Sequence, residues 1–262
     1  MPQLGFDFVP PATAQEQQYR AARDLPDGEA ALIKAARSAL VDYDRARRKA
    51  NEDTVAAAAL RYRTIAIKLN GGSPSGMSTE WKDDDAGEGD GAAVRLEKAL
   101  AAPDGKVPMW GQRGRFILEF PEVRAIVAVR GVLVGSFHDL ELTALDYDRP
   151  FLSETGYLSL HGATHEEDRA ETLSLMVKRQ VKEFREDWQW SRGKRRRVVR
   201  PLPPLKQTRN EWDDDTGERV EIPIAPPTDD PAWQEGGWIF AYLKANPPPQ
   251  LQRQAPRRGR RR

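Results

Sequence analysis

Apolar positions recur at helical spacing twice early in the chain. Between Asp27 and Lys49, Ile33, Ala36, Leu40 and Tyr43 fall on one side, while Lys34, Arg37 and Asp44 fall on the other. This is the pattern of an amphipathic helix. A second helix is predicted from Asn51, an N-cap residue followed by Glu52 and Asp53 in the first turn. It continues through Val55, Ala58, Tyr62, Ile65 and Leu69 to a stop at Asn70, Gly71 and Gly72. The two predict a helical hairpin. Ahead of them, Leu4, Phe6, Phe8 and Val9 precede Pro10 and Pro11, an extended arm expected to dock on the core.

The pattern then changes. Residues 73–91 are rich in Gly, Ser and Asp and predict an acidic flexible linker. A calcium loop needs alternating carboxylates, whereas Asp83, Asp84 and Asp85 are consecutive. A short helix over 92–101 is ended by Pro103, Asp104 and Gly105, after which the period becomes two. Phe116, Leu118 and Phe120 alternate with Ile117 and Glu119 up to a turn at Pro121 and Glu122. Val123, Ala125, Val127 and Val129 then alternate with Arg124, Ile126 and Ala128 up to a reversal at Arg130 and Gly131. Val132–Val134 and Leu140–Tyr147 supply further strands, and the short connections favour an antiparallel meander of three or four strands packed on helices. A late helix is predicted from a capping box at Thr164–Glu167 to about Trp188, with Leu173, Met176, Val177, Val181, Phe184 and Trp188 as its apolar stripe. Lys178, Arg179, Lys182 and Arg185 lie off that stripe.

These elements predict an α+β fold in which a helical hairpin and a late helix pack on a small antiparallel sheet, followed by a Pro/Arg-rich C-terminal tail. The expected organisation is an arm and hairpin over 1–72, a linker over 73–91, a sheet-and-helix core over 92–190 and a low-structure charged tail over 191–262. The tail holds more than half of the chain's 20 prolines, too many for an independently packed domain. Within it, Trp233, Trp238, Ile239, Phe240, Tyr242 and Leu243 predict one short docked helix before Pro247–Pro249.

Composition narrows the chemistry. The 262 residues include no cysteine, which removes disulfides, thiol nucleophiles and Cys-type zinc sites. No apolar run approaches the roughly 20 residues of a membrane helix, and the N-terminus lacks a signal-peptide pattern, so the expectation is a cytoplasmic protein with no membrane partner. The net charge of +1 hides strong segregation. The basic residues Arg192, Lys194, Arg195, Arg196, Arg197 and Arg200, and the terminal Arg257, Arg258, Arg260, Arg261 and Arg262, are candidate contacts to DNA or RNA phosphates. Such contacts imply salt-sensitive binding without base readout. Trp188 and Trp190 precede the first run and offer rings for stacking. Pairing with Asp213–Asp215 is the structural alternative. A third basic run, Arg45, Arg47, Arg48 and Lys49, lies near a helix C-terminus, where cations suit the macrodipole as well as they suit a nucleic acid.

The densest polar chemistry lies between His138 and His165, which includes all three histidines. Asp146, Asp148, Arg149, Ser153, Glu154, Thr155 and Tyr157 form a candidate surface site. Two readings stand for it. In the structural one, Gly156 takes a positive φ, Ser153 or Thr155 bonds backbone groups in a tight turn, and Phe151, Leu152 and Tyr157 pack beneath. In the catalytic one, Ser153 is the nucleophile of a hydrolase, His161 or His138 its base, and Asp146 or Asp148 orients the histidine. The nucleophile-elbow spacing is absent. Metal binding by His138, Asp139, His161 and His165 is disfavoured, because Gly162 and a cap at Thr164 keep His161 off the helix that carries His165. No cofactor or metal is expected.

The phrases VPMWGQRGRFI at 107–117, IKLNGG at 67–72 and above all ALDYDRPFLSETGYLSLHG resemble an uncharacterised group of bacterial proteins encoded on plasmids, integrative conjugative elements and prophage-like islands. The resemblance spans roughly residues 1–190. This chain departs from it at Leu158-Ser159-Leu160, where the group continues with Arg-Ser-Phe. The resemblance implies a mobile-element setting and no mechanism. The leading functional expectation is therefore a non-enzymatic accessory protein that binds nucleic acid, a protein partner or both. The alternatives are the Ser153 hydrolase and an inhibitor of a host defence or conjugation system.

Overall fold

The computed structural model describes residues 20–73, 91–129, 137–163, 170–191, 194–213, 217–227 and 229–248. Of these, 137–139, 161–163, 187–191, 194–196 and 211–213 are described by their backbone alone. The predicted N-terminal arm and most of the acidic linker lie outside the described residues, as do Val132–Val134 and Thr164–Glu167.

Helix α1 spans Glu29–Arg47 and buries Leu32, Ala36, Ala39, Leu40, Tyr43 and Ala46, three or four residues apart as a single buried stripe requires. Glu29 lies in its first turn, and Arg45 and Arg47 lie in its last. The chain reverses through Ala50 (φ 50°) into Asn51, whose side chain caps α2 (Glu52–Leu69) by accepting from the Thr54 amide at 3.1 Å. Helix α2 ends at Asn70, with Gly71 and Gly72 both at positive φ. Near that end, Lys68 Nζ donates to the Leu25 carbonyl at 2.5 Å and pairs with Asp27 at 2.9 Å, tying it to the entry of α1. The predicted hairpin is thus present. Helix α3, Ala92–Ala99, adds buried Ala93, Val94 and Leu96.

Four antiparallel strands follow in chain order: β1 (Gly114–Glu119), β2 (Arg124–Val129), β3 (Phe137–Ala144) and β4 (Tyr157–Ala163). Alternation sorts their side chains by face. Phe116, Leu118, Ala125, Val127, Val129, Leu140, Leu142 and Ala144 are buried in the main core with the hairpin, α3 and the next helix, α4 (Leu173–Arg185). Trp110, 1% exposed, joins these layers. Its amide donates to Asp44 on α1 at 3.0 Å, its indole N–H donates to the Glu171 carbonyl before α4 at 2.8 Å, and the Arg47 guanidinium lies 4.8 Å from its ring centre.

The opposite face of β1 and β2 carries a second, smaller core. Ile126 and Leu145 are buried there with Ala232 and Ile239, and Ile117, Trp233, Trp238, Tyr242 and Leu243 pack around them. Ile239 belongs to α5, Trp238–Ala245, the short docked helix that the aromatic run predicts. Gly237 allows this helix to start where it does. A Cβ on it would lie 2.3 Å from the Pro231 carbonyl oxygen and 2.4 Å from that of Ala232.

The α+β class matches the sequence pattern, and several details differ: β3 covers Phe137–Ala144 where a strand over 140–147 is expected, and β4 occupies Tyr157–Ala163 where no strand is expected. Helix α4 begins after the N-cap Thr172, and it ends at Arg185 instead of about Trp188. Its stripe is shorter as well, since Phe184 is 39% exposed. The chain turns extended at Glu186, and β5 (Glu186–Ser191) pairs antiparallel with β6 (Lys194–Val199). Where an extended tail is expected, a second ribbon joins β7 (Thr208–Asp213) to β8 (Glu218–Pro223). Charge and proline content describe how little apolar surface a segment can bury, whereas a two-stranded ribbon is held by backbone pairing that charged side chains permit.

A buried ion pair lies on the second face of the sheet, at the end of α5. Arg124, 7% exposed, donates from Nε to Asp146 at 2.8 Å and from Nη2 to the other carboxylate oxygen at 2.5 Å. Its Nη1 donates to the Asn246 carbonyl at the end of α5, at 2.6 Å. The bond to Asp146 also holds the guanidinium pKa above its already high ordinary value, so the charge persists at all working pH. Asp146→Ala, which strands this charge, is expected to cost about 3–5 kcal/mol in urea unfolding, and the double change Arg124→Met with Asp146→Leu to recover most of it. Beside the pair, the Tyr242 hydroxyl donates to Glu119, and burial, aided by this bond, pushes its pKa up to about 12. The folded state therefore holds the proton more tightly than the unfolded chain. Its contribution to stability is complete below pH ~10 and is lost as pH rises towards about 12. Tyr242→Phe is expected to flatten that alkaline decline in a stability–pH series.

Candidate functional site

The segment from Asp146 to Tyr157 connects β3 to β4, and its apolar residues anchor it. Phe151 and Leu152 are 1% and 5% exposed and belong to the main core. At its start, Asp146 is committed to Arg124 at both carboxylate oxygens. At its end, Gly156 has a φ of 71°, and its carbonyl accepts from the Ala144 amide at 2.8 Å. A Cβ on Gly156 would meet Ile224, Leu205 and Ala144 no closer than 3.5 Å, so backbone conformation, not space, favours glycine here.

The polar side chains of SETGY close this turn. Ser153 Oγ donates to the Tyr157 carbonyl at 2.5 Å and accepts from the Tyr157 amide at 3.1 Å. Thr155 Oγ1 lies 3.2 Å from Ser153 Oγ and donates to the same carbonyl at 3.3 Å. Both hydroxyls are thus engaged with the backbone entering β4, the arrangement of the structural reading. Asp148 is exposed and Arg149 partly buried, while Tyr157 is 38% exposed.

The histidines are placed by backbone register. In the β3–β4 ladder, His138 is opposite Gly162 and Asp139 is opposite His161, so His161 belongs to a strand and not to a helix. His165 lies outside the described residues. Among the described residues, no three His, Asp or Glu side chains are grouped to hold a metal ion.

Sequence inspection missed the strap that covers this turn. The Phe151 amide donates to the Pro203 carbonyl at 3.1 Å, the Lys206 amide donates to the Glu154 carbonyl at 2.8 Å, and Lys206 Nζ meets the Glu154 carboxylate at 2.6 Å. Residues 203–206 are therefore bound across the SETGY segment. The signal for it was faint: PLPPLK is an extended, donor-poor stretch with one lysine, and its partner lies about fifty positions away. Arg124 was also overlooked, although a lone arginine within an otherwise apolar strand calls for a buried carboxylate.

The candidate nucleic-acid residues divide. Lys194, Arg195, Arg196 and Arg197 form most of β6, and Arg200 follows it, its amide donating to the Arg185 carbonyl at 2.7 Å. Arg192 and Arg257–Arg262 lie outside the described residues. The β5–β6 register sets Trp188 opposite Arg197, Gln189 opposite Arg196 and Trp190 opposite Arg195. The basic run near the end of α1 is largely absorbed within the molecule. Arg45 pairs with Asp42 at 3.2 Å, Arg48 with Asp44 at 2.9 Å, and Arg47 with the Trp110 ring.

These features define an α+β protein with a strapped turn and a basic, tryptophan-bearing ribbon. The chain is similar to two Escherichia coli proteins called Protein KlcB. It is 36% identical to one over 158 residues, covering 60% of this chain and 36% of the relative. It is 34% identical to the other over 140 residues, covering 53% and 28%. The chain thus spans about a third of the length of the curated relatives it matches. No family model and no solved structure matches it. Among the described residues, no helix is long and apolar enough to cross a membrane.

Ser153→Ala is expected to lower stability by about 1 kcal/mol, the net worth of a hydrogen bond. Gly156→Ala is expected to cost roughly 1–2 kcal/mol from the left-handed backbone alone. Both are read as shifts in the urea midpoint at constant m-value.

Proposed function

We propose that this chain is a non-enzymatic accessory protein of a bacterial mobile element that binds nucleic acid, without sequence preference, through its arginine-rich segments. The observation that carries the reading is the β5–β6 ribbon, in which four consecutive basic residues, Lys194–Arg197, form one strand opposite a strand bearing two tryptophans. A run of cations on a paired strand meets phosphates at lower entropic cost than the same run on a free tail. The ribbon is fastened to the rest of the molecule at its base, where Arg200 bonds back to Arg185 and Arg185 reaches Glu122 at 2.6 Å. The mobile-element setting rests on the resemblance carried by PFLSETGY, and the similarity to Protein KlcB accords with it.

A hydrolase built on Ser153 is the weaker reading. A nucleophilic serine must pass its proton to a base, and here that hydroxyl donates to a backbone carbonyl while accepting from the amide of the same residue.

The test is fluorescence-anisotropy binding of the full chain to labelled DNA and RNA across a salt series. The wild type is expected to bind with a steep negative slope of log affinity against log salt. Lys194→Gln, Arg195→Gln and Arg196→Gln together are expected to reduce that slope by roughly 2–3 for three lost phosphate contacts. No binding at low salt, or an unchanged slope in the triple variant, would sink the reading.

A further inference from the structure

We infer that the ribbon's ligand is a single strand, held on a platform in which Trp188 and Trp190 stack on bases while Arg195 and Arg197 flank them. This rests on the nucleic-acid reading above and names its substrate class. Residues directly opposite in an antiparallel ladder share a face, and so do residues two apart on one strand. Trp188, Trp190, Arg195 and Arg197 therefore lie on one face of the ribbon, together with Glu186 and Val199 at its base. Gln189, Ser191, Lys194 and Arg196 lie on the other.

Of the side chains described on the first face, Glu186 at the base is 11% exposed and the two on β6 are open. Val199 is 57% exposed and the Arg197 side chain 52% exposed. Glu186, the acidic residue of this face, has its carboxylate 2.5 Å from Arg197 Nε, so its charge is offset at the ribbon's base. The face thus brings two tryptophan positions and two arginine positions to one side of the ribbon.

Spacing decides between single strand and duplex. Same-face residues along a β-strand are about 6.7 Å apart, roughly twice the 3.4 Å rise per phosphate of one strand in a duplex. Within a duplex the bases are stacked on one another at that shorter repeat, and their faces are closed to a tryptophan. An extended single strand offers free base faces, and stacking on aromatic platforms within a basic groove is how such strands are bound without reading sequence. The competing geometry is a duplex whose major groove receives the ribbon. That geometry would use the Gln189 and Arg196 face and leave the tryptophans without a role.

The experiment compares the full chain's affinity for a labelled oligothymidine and for a duplex of equal length at one salt concentration. It uses the wild type, Trp188→Ala with Trp190→Ala, and Trp188→Phe with Trp190→Phe. The wild type is expected to favour the single strand. The alanine pair is expected to lose roughly tenfold or more per ring on the single strand and almost nothing on the duplex. The phenylalanine pair, which keeps a stacking ring and the ribbon's β-propensity, is expected to retain most of the single-strand preference, and it carries the test if the alanine pair unfolds. Equal or tighter duplex binding by the wild type overturns the inference and leaves the general reading standing. So does an equal loss on both ligands in the alanine pair, or a phenylalanine pair that folds yet has lost the preference. Binding to neither ligand removes both.

Discussion

The buried pair of Arg124 and Asp146 is the interaction on which the other parts of the molecule converge. A guanidinium taken out of water is tolerable only when its donors are met. Here Asp146 takes two of them and the Asn246 carbonyl a third. The carboxylate belongs to the segment that leaves β3 for the SETGY turn, and the carbonyl to the end of α5. One side chain on β2 therefore fixes where the β3–β4 connection starts and where the C-terminal helix stops. The Arg124 guanidinium also lies 5.9 Å from the Tyr242 ring centre, which adds a weak cation–π attraction to the same junction.

From this junction the chain is closed by contacts distant in sequence. Asp230 meets Arg115 on β1 at 2.8 Å, Trp233 packs edge-on against Tyr147 with ring centres 5.9 Å apart, and Lys206 and Pro203 bind across the SETGY turn. The polar residues of SETGY hold their own turn and receive the strap. A two-stranded ribbon begins where α4 ends. Its position follows from that ending. Glu186 turns extended, Arg185 and Arg200 bond across the base, and the basic strand follows.

Much of the architecture is legible in local pattern. The 3.6-residue spacing of Ala36, Leu40 and Tyr43, the cap at Asn51 and the stop at Gly71-Gly72 define the hairpin. Alternation in 116–120 and 123–129 defines β1 and β2, and the cluster WIFAYL defines α5. Strand β4 was not predicted: Leu158 and Leu160 alternate with Tyr157, Ser159 and His161, but the turn signal of SETGY masks it. The structural option for Ser153 and Gly156 could be drawn from residue type, because a serine beside a glycine favours local backbone bonds. Which backbone groups they serve could not.

Residue order is enough to determine which segments are helical, which alternate, that no cysteine chemistry is possible, and that positive charge is concentrated in a few runs. These are properties of neighbours three or four positions apart, where propensity and periodicity act. Tertiary structure alone decided that Arg124 is paired with Asp146, that PLPPLK straps the SETGY turn, that α4 gives way to a ribbon at Glu186, and that two tryptophans share a face with two arginines. Each of these depends on segments brought together only by the packed core. Their energies come from desolvation and cross-strand geometry, which no local pattern encodes.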